Sequence, residues 1–297
     1  MISQHENRNQ EYAPERGGRL IRSIAVAIDC SPHSMASLKT AAKLAARMQA
    51  ELLGIFVEDI NLLRMAELPF SQEIRLYSSR PENIDTAELE RLLRMQARQA
   101  ASSLQHEAEL YRVQHSFRVS RGNVPKEVVA AALEADLLVL GRSGHSPTCR
   151  KGLGSTARTA LSGSTKNILL MRSGFPSEHE AVLVLYDGLE GSKKALGIAL
   201  RLMHSGSKLH ILLLPQTESD IPVLEKELSD FIPAGVLRVE FHRLPSGVTD
   251  SRVLARYIRM ADSGLLVLSD RMNLPQETVH SLINEIDYPV LLVRGSV

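Results

Sequence analysis

Ile24-Ala25-Val26-Ala27-Ile28-Asp29 and Val182-Leu183-Val184-Leu185-Tyr186-Asp187 are the two stretches on which the fold turns. Each is a short apolar run that stops at an aspartate. Small or turn-forming residues follow, and then apolar residues at helical spacing: Leu38, Ala41, Ala42, Ala45 and Met48 after the first, Leu196, Ala199, Leu200 and Met203 after the second. An apolar run without alternation fits a strand buried on both faces, and a strand that feeds a helix opens a crossover unit. Ser31 followed by Pro32 marks where the first helix starts, because the hydroxyl accepts an orphan amide and proline pre-sets the helical φ.

Outward from these two stretches, the same order of segments occurs twice. Second strands fall at 51–57 and 208–214, third strands at 116–120 and 238–242, and helices near 126–133 and 252–260. Fourth strands follow at 136–140 and 264–268, and last strands at 168–171 and 290–293. Strands alternating with helices predict an α/β chain, built as two repeats of a parallel sheet with helices on both faces. The first copy is the longer, with extra sequence at 60–80 that contains Pro69 and runs up to Pro81. A long helical pattern through Leu89, Leu93, Ala97, Ala100 and Leu104 comes after it. Two readings of this insertion stand open: a surface excursion, or a mobile lid over a neighbouring site.

Composition fits this plan. With 297 residues, 44% of them hydrophobic, the chain has room for about two domains, each with its own core. The near balance of 35 basic against 34 acidic residues argues against a nucleic-acid coat. Two cysteines, Cys30 and Cys149, cannot build a disulfide framework, and no run of 18 apolar residues offers a membrane span. A reducing, cytoplasmic setting is expected. Residues 1–18 read as a disordered polar tail, and the first twenty hold no apolar stretch of a secretory signal.

The chemistry is concentrated after the fourth strand of the first copy, in Gly141-Arg142-Ser143-Gly144-His145-Ser146-Pro147-Thr148-Cys149-Arg150-Lys151-Gly152-Leu153-Gly154-Ser155-Thr156. Glycines let amides approach a ligand closely, and Ser155 at a helix start adds a hydroxyl and the positive end of the helix dipole. Between Asp136 and Glu178 there is no acidic residue, while Arg142, Arg150, Lys151, Arg158, Lys166 and Arg172 bring a local charge of +6. Glycines, hydroxyls and cations at the carboxyl end of a central strand point to phosphate binding. Gly152-Leu153-Gly154-Ser155-Thr156-Ala157 matches a dinucleotide fingerprint, but after the wrong strand and a long loop, and no Walker-type motif occurs.

Gly141-x2-Gly144-x9-Gly154-Ser155 resembles the ATP-binding signature of the universal stress protein family, spaced G-x2-G-x9-G-[S/T]. Asp29 after the first strand, and the stretch from Gly122 through a turn with Pro125 to Asp136 and Gly141, resemble the family too. Residues 19–297 as a whole look like a tandem member. The resemblance implies five-stranded sheets of order 3-2-1-4-5, adenine nucleotide alpha hydrolase-like, one in a nucleotide-binding domain at 19–174 and one in a degenerate domain at 178–297. It further implies that ATP, or AMP or ADP, binds in the first repeat with Asp29 beside the ribose and phosphates and the backbone near Val57 at the adenine edge. Gly141, Gly144, Gly154, Ser155 and Thr156 would cradle the phosphates, and these would chiefly hold Mg²⁺. Arg142 and His145 are added as phosphate partners on charge alone. The family's subunits pair through their last strands, which here implies a pseudo-dimer within one chain, with further dimerisation left open.

The chain departs from the family in two places. Cys30 stands where the family commonly has Gly, and Lys166-Asn167 precede the last strand without the usual Pro. Cys30 and Cys149 both fall in the proposed site loops, which raises the idea of a redox switch beside the simpler reading of two unrelated thiols. In the second copy the matching loop reads Ser269-Asp270-Arg271-Met272-Asn273-Leu274-Pro275-Gln276-Glu277, shortened and without glycine. No nucleotide is expected there, although Asp187-Gly188 survives. No catalytic residue and no metal-ligand motif is expected, so the leading reading is a nucleotide-responsive stress or signalling protein with an unknown protein partner. A weak ATPase or phosphotransferase, and a nucleotide-independent scaffold, are the alternatives.

Overall fold

The structure is a computed structural model that describes residues 21–68, 72–74, 81–83, 85–143, 152–172, 181–203, 206–232, 238–261 and 264–295. The polar tail expected at 1–18 lies outside them. The first half contains β1 (Ser23–Ala27), α1 (Pro32–Met48), β2 (Glu51–Asp59), α2 (Ile60–Ala66), β3 (Gln72–Ile74) and β4 (Pro81–Asn83). It continues with α3 (Thr86–Tyr111), β5 (His115–Gly122), α4 (Val124–Ala131), β6 (Leu137–Gly141), α5 (Ser155–Gly163) and β7 (Asn167–Met171). The second half contains β8 (Ala181–Tyr186), α6 (Glu190–Leu202), β9 (Lys208–Leu213), α7 (Asp220–Phe231) and β10 (Arg238–Arg243). Then come α8 (Ser251–Met260), β11 (Leu265–Ser269), α9 (Gln276–Glu285) and β12 (Val290–Val293).

Local chemistry sets the helix starts. The Ser31 hydroxyl accepts the Ser34 amide with Pro32 in the first turn of α1, Asn123 accepts the Lys126 amide at α4, and Asp250 accepts the amides of Arg252 and Val253 at α8. On α1, Leu38, Ala41, Ala42 and Ala45 are buried, the stripe that the spacing predicts. The insertion is not without structure. It holds α2, whose Leu63 and Ala66 are buried, and an antiparallel pair in which Gln72 faces Asn83 and Ile74 faces Pro81.

Ten strands form one sheet in the order β10-β9-β8-β11-β12-β7-β6-β1-β2-β5. Within each half the strands run third, second, first, fourth, fifth, and every pairing is parallel. The halves join through the one antiparallel pair of this sheet among the described residues, β7 with β12, where Ile168, Leu169 and Leu170 face Leu292, Leu291 and Val290. All six are at most 2% exposed, so each half covers an apolar strand edge that alone would template aggregation. One face of the sheet packs on α1, α3, α6 and α7, the other on α4, α5, α8 and α9, and both apolar layers run across the two halves.

Arginines reinforce the seam at helix C-termini, where unpaired carbonyls and the helix dipole favour cations. Arg47 on α1 donates to the carbonyls of Leu202 and Met203 at the end of α6. Arg142 donates to the Ile283 carbonyl in α9 at 2.8 Å, and Arg294 donates to the Leu161 carbonyl in α5. Arg172 reaches the Asp287 carbonyl at 3.2 Å and its carboxylate at 3.4 Å.

Candidate functional site

β1 crosses over to β2 on one side, while β6 pairs with β1 on the other, so the crevice at their carboxyl ends is a topological switch point. A cleft of about 840 Å³ opens there, within the range of small-molecule sites. Asp29, Val57, Gly141, Gly154, Ser155 and Thr156 line it together. Gly144 and His145 lie outside the described residues, as do Cys149, Arg150 and Lys151.

The two ends of the cleft differ in chemistry. At one end is the start of α5: Gly154 is its N-cap and contributes no capping side chain, so the first-turn amides have no side-chain acceptor where Ser155, Thr156 and the cation Arg158 line the cleft. The Gly154 amide itself donates to the Arg142 carbonyl at 2.7 Å, which fixes where α5 begins. At the other end are Phe56, Val57, Leu62, Leu93 and Val124, an apolar wall. The Ile55 carbonyl accepts the Ile28 amide, and alternation along β2 aims the Val57 backbone the same way, past the end of β1. An amphipathic ligand with an anionic end and a flat apolar end suits this arrangement.

Glycine at 141 answers a close approach. A methyl group placed on it would lie 2.9 Å from the His33 Cβ at the start of α1. At Cys30 the backbone takes φ 61°, the left-handed region, and the matching Gly188 in the second half takes φ 81°. A preference for glycine there has a physical basis that Cys30 overrides at a cost. Burial, and then the Asp29 carboxylate, push the Cys30 thiol upward, away from the thiolate that a redox sensor needs.

Arg142 does not join the cleft. It is 5% exposed, and its guanidinium turns to the second half and Ile283, because the end of α9 offers a carbonyl acceptor. Burial lowers its pKa, with the Asp287 carboxylate acting in the opposite sense. Part of the cationic excess in this segment therefore serves the seam, and Arg158 is the described cation on the cleft wall. Sequence reasoning also missed Asp59 and Asn61, at the entrance to the insertion, and Asn123 after β5. The Gly122-Asn123-Val124-Pro125 turn was the available signal for the last of these. Asp59 also accepts the Asn61 amide to cap α2, so the insertion supplies a wall of the cleft directly.

In the second half a shorter loop closes onto the matching place. From β11 to α9 the chain runs only from Asp270 to Pro275, and Met272 and Leu274 are buried in the core. Asp187, which matches Asp29, accepts the amides of Asn273 and Leu189 at 2.6 and 3.0 Å. Asp270 is paired with Arg294 at 3.1 Å and accepts the Gly295 amide.

The sequence model of the universal stress protein family matches residues 21–172, the half that carries the open cleft. The chain belongs to the universal stress protein family. No curated protein matches it. Among solved structures, a universal stress protein from Archaeoglobus fulgidus DSM 4304 is similar over 92% of this chain and 98% of its own, with 15% identity and a TM-score of 0.66. A Pseudomonas aeruginosa UCBPP-PA14 protein ascribed to the universal stress proteins is similar over 93% of this chain and 94% of its own, with 14% identity and a TM-score of 0.57. At such identities the likeness concerns the fold alone, and it extends over both halves of the ten-stranded sheet.

Proposed function

We propose that this universal stress protein is a two-repeat member whose first repeat, 19–174, binds one adenine nucleotide, and whose second, 178–297, is structural or binds a protein partner. The observation that carries the reading is the uncapped start of α5, with Ser155, Thr156 and Arg158, facing an apolar wall and the Val57 backbone across one cleft. The amides and hydroxyls would hold the phosphates, the Val57 backbone would meet the base edge, and Asp29 would sit by the ribose. A bound Mg²⁺ would neutralise phosphate charge, held chiefly by the nucleotide, with Asp29 and Asp59 as the carboxylates among the described residues that line the cleft. Gly144 and His145 belong to the same proposed cradle.

In this reading the protein works in the cytoplasm as a nucleotide-responsive stress or signalling component. The loop that closes onto Asp187 in the second half and the antiparallel seam support a pseudo-dimer within the chain, with one open site. No helix among the described residues is long and apolar enough to cross a membrane. Calorimetry with ATP and Mg²⁺ tests the site: binding is expected, and the variant Gly154→Val with Ser155→Ala abolishes it. Absence of binding, or equal binding by that variant, defeats the proposal.

A further inference from the structure

At the outer end of the sheet, far from the cleft in strand order, β9 and the edge strand β10 bring His210, Glu240 and His242 together. His210 and Glu240 are register partners, and His242 is two residues beyond Glu240, so the three side chains share one face of the sheet. His210 Nδ1 lies 2.9 Å from His242 Nε2 and 3.4 Å from Glu240 Oε2, and the three ligand atoms all lie within 4.8 Å of one another. The His210 side chain is 6% exposed, which holds its ring in place. We propose that these residues bind one Zn²⁺ ion through His210 Nδ1, His242 Nε2 and a Glu240 carboxylate oxygen.

The spacing carries the proposal. Ligands at about 2.0–2.1 Å around a tetrahedral ion stand about 3.3 Å from each other, and the two separations from His210 Nδ1, 2.9 and 3.4 Å, fall on either side of that value. Two imidazoles and one carboxylate are a recurrent zinc donor set, and three protein ligands leave a position for water. Without metal the two ring nitrogens at 2.9 Å share a proton, which the ion replaces. Lys208 Nζ lies 3.5 Å from Glu240 Oε1, so the other carboxylate oxygen is left turned to the histidine. In the first half, register places Leu53, Ser116 and Arg118 at the matching positions, and Arg118 pairs with Glu134 at 2.7 Å. The donor set is thus a property of the second half and not of the shared strand order. The ion would tie the exposed edge strand β10 to β9.

The test uses the full chain, stripped with a chelator and titrated with Zn²⁺ in competition with a chromophoric chelator. One ion per chain is expected at this site. His210→Leu, which installs the residue of the first half, and His242→Gln each weaken binding by roughly a hundredfold or more, since losing even an outer-shell partner costs 10–100-fold. Glu240→Gln changes a half-exposed side chain without changing its size, and weakens binding at least tenfold. Co²⁺ in place of Zn²⁺ gives visible absorption in the wild type that the three variants lose. No binding by the wild type overturns the proposal, and so does unchanged stoichiometry and affinity in Glu240→Gln and His242→Gln. Either result leaves a hydrogen-bonded histidine pair beside Glu240.

Discussion

Gly141→Ala and Gly197→Ala make the same chemical change at two sites and are expected to shift stability in opposite directions. A methyl group at 141 would meet the His33 Cβ at 2.9 Å and its carbonyl carbon at 3.2 Å. Both belong to the first turn of α1, fixed between the Ser31 cap and the buried Ser34 and Ser37, so the strain cannot be relieved by one flexible side-chain tip. Overpacking of this kind costs about 1–3 kcal/mol, against about 0.5–1 kcal/mol gained by restricting the unfolded chain, and mid-range values leave a net loss of about 1 kcal/mol. At 197, inside α6, no neighbouring atom comes within 4 Å, so alanine stabilises by about 0.5–1 kcal/mol. Urea unfolding of both variants and the wild type measures the difference. Because Ser31 and Ser34 line the cleft, Gly141→Ala also weakens nucleotide binding, while the distant Gly197→Ala leaves it within about twofold. A Gly141→Ala protein as stable as the wild type would refute the close packing of α1 on β6.

Arg142→Met removes the bond to the Ile283 carbonyl and destabilises by about 1–3 kcal/mol, yet leaves nucleotide affinity unchanged in calorimetry, whereas Arg158→Ala weakens the affinity; the reverse pattern would return Arg142 to the site. Cys30→Gly relieves left-handed strain of about 1–2 kcal/mol at an entropic cost of about 0.5–1, so urea unfolding should show a small gain in stability, and a clear loss counts against the strain. Glu227 is held below the usual carboxylate range by the Lys193 ammonium first, with the Tyr186 hydroxyl donating to it as well. Its stabilising contribution is therefore full above about pH 4.3, the unperturbed value, and is lost as pH falls through the lowered one. Glu227→Gln flattens the stability profile in that acid range, and identical profiles for the two proteins would exclude the coupling.

Much of the fold was legible because burial on both faces leaves a pattern: 24–28 and 182–186 read as buried strands, each feeding a helix, and Ser31-Pro32 as a helix start. The strand order and the seam followed from the family resemblance, and no local pattern specifies which last strand meets which. The cleft was legible where backbone chemistry is written as glycine and hydroxyl, at Gly141, Gly154, Ser155 and Thr156. Long side chains were less so. Arg142 and Arg172 carry the same charge as Arg158, but charge does not say which way a guanidinium turns, and packing across the seam sends the first two to Ile283 and Asp287. Likewise the missing glycines of 270–275 announced a lost loop, but not that the Asn273 amide would bond the Asp187 carboxylate.

The number of ATP molecules bound per chain, by calorimetry in the presence of Mg²⁺, decides between one open cleft and any other arrangement. One nucleotide per chain is predicted, with affinity reduced by Asp29→Ala and unaffected by Asp187→Ala, since the short loop at 270–275 closes onto the Asp187 carboxylate through the Asn273 amide at 2.6 Å. Two nucleotides per chain, or one whose binding depends on Asp187 and not on Asp29, would contradict it.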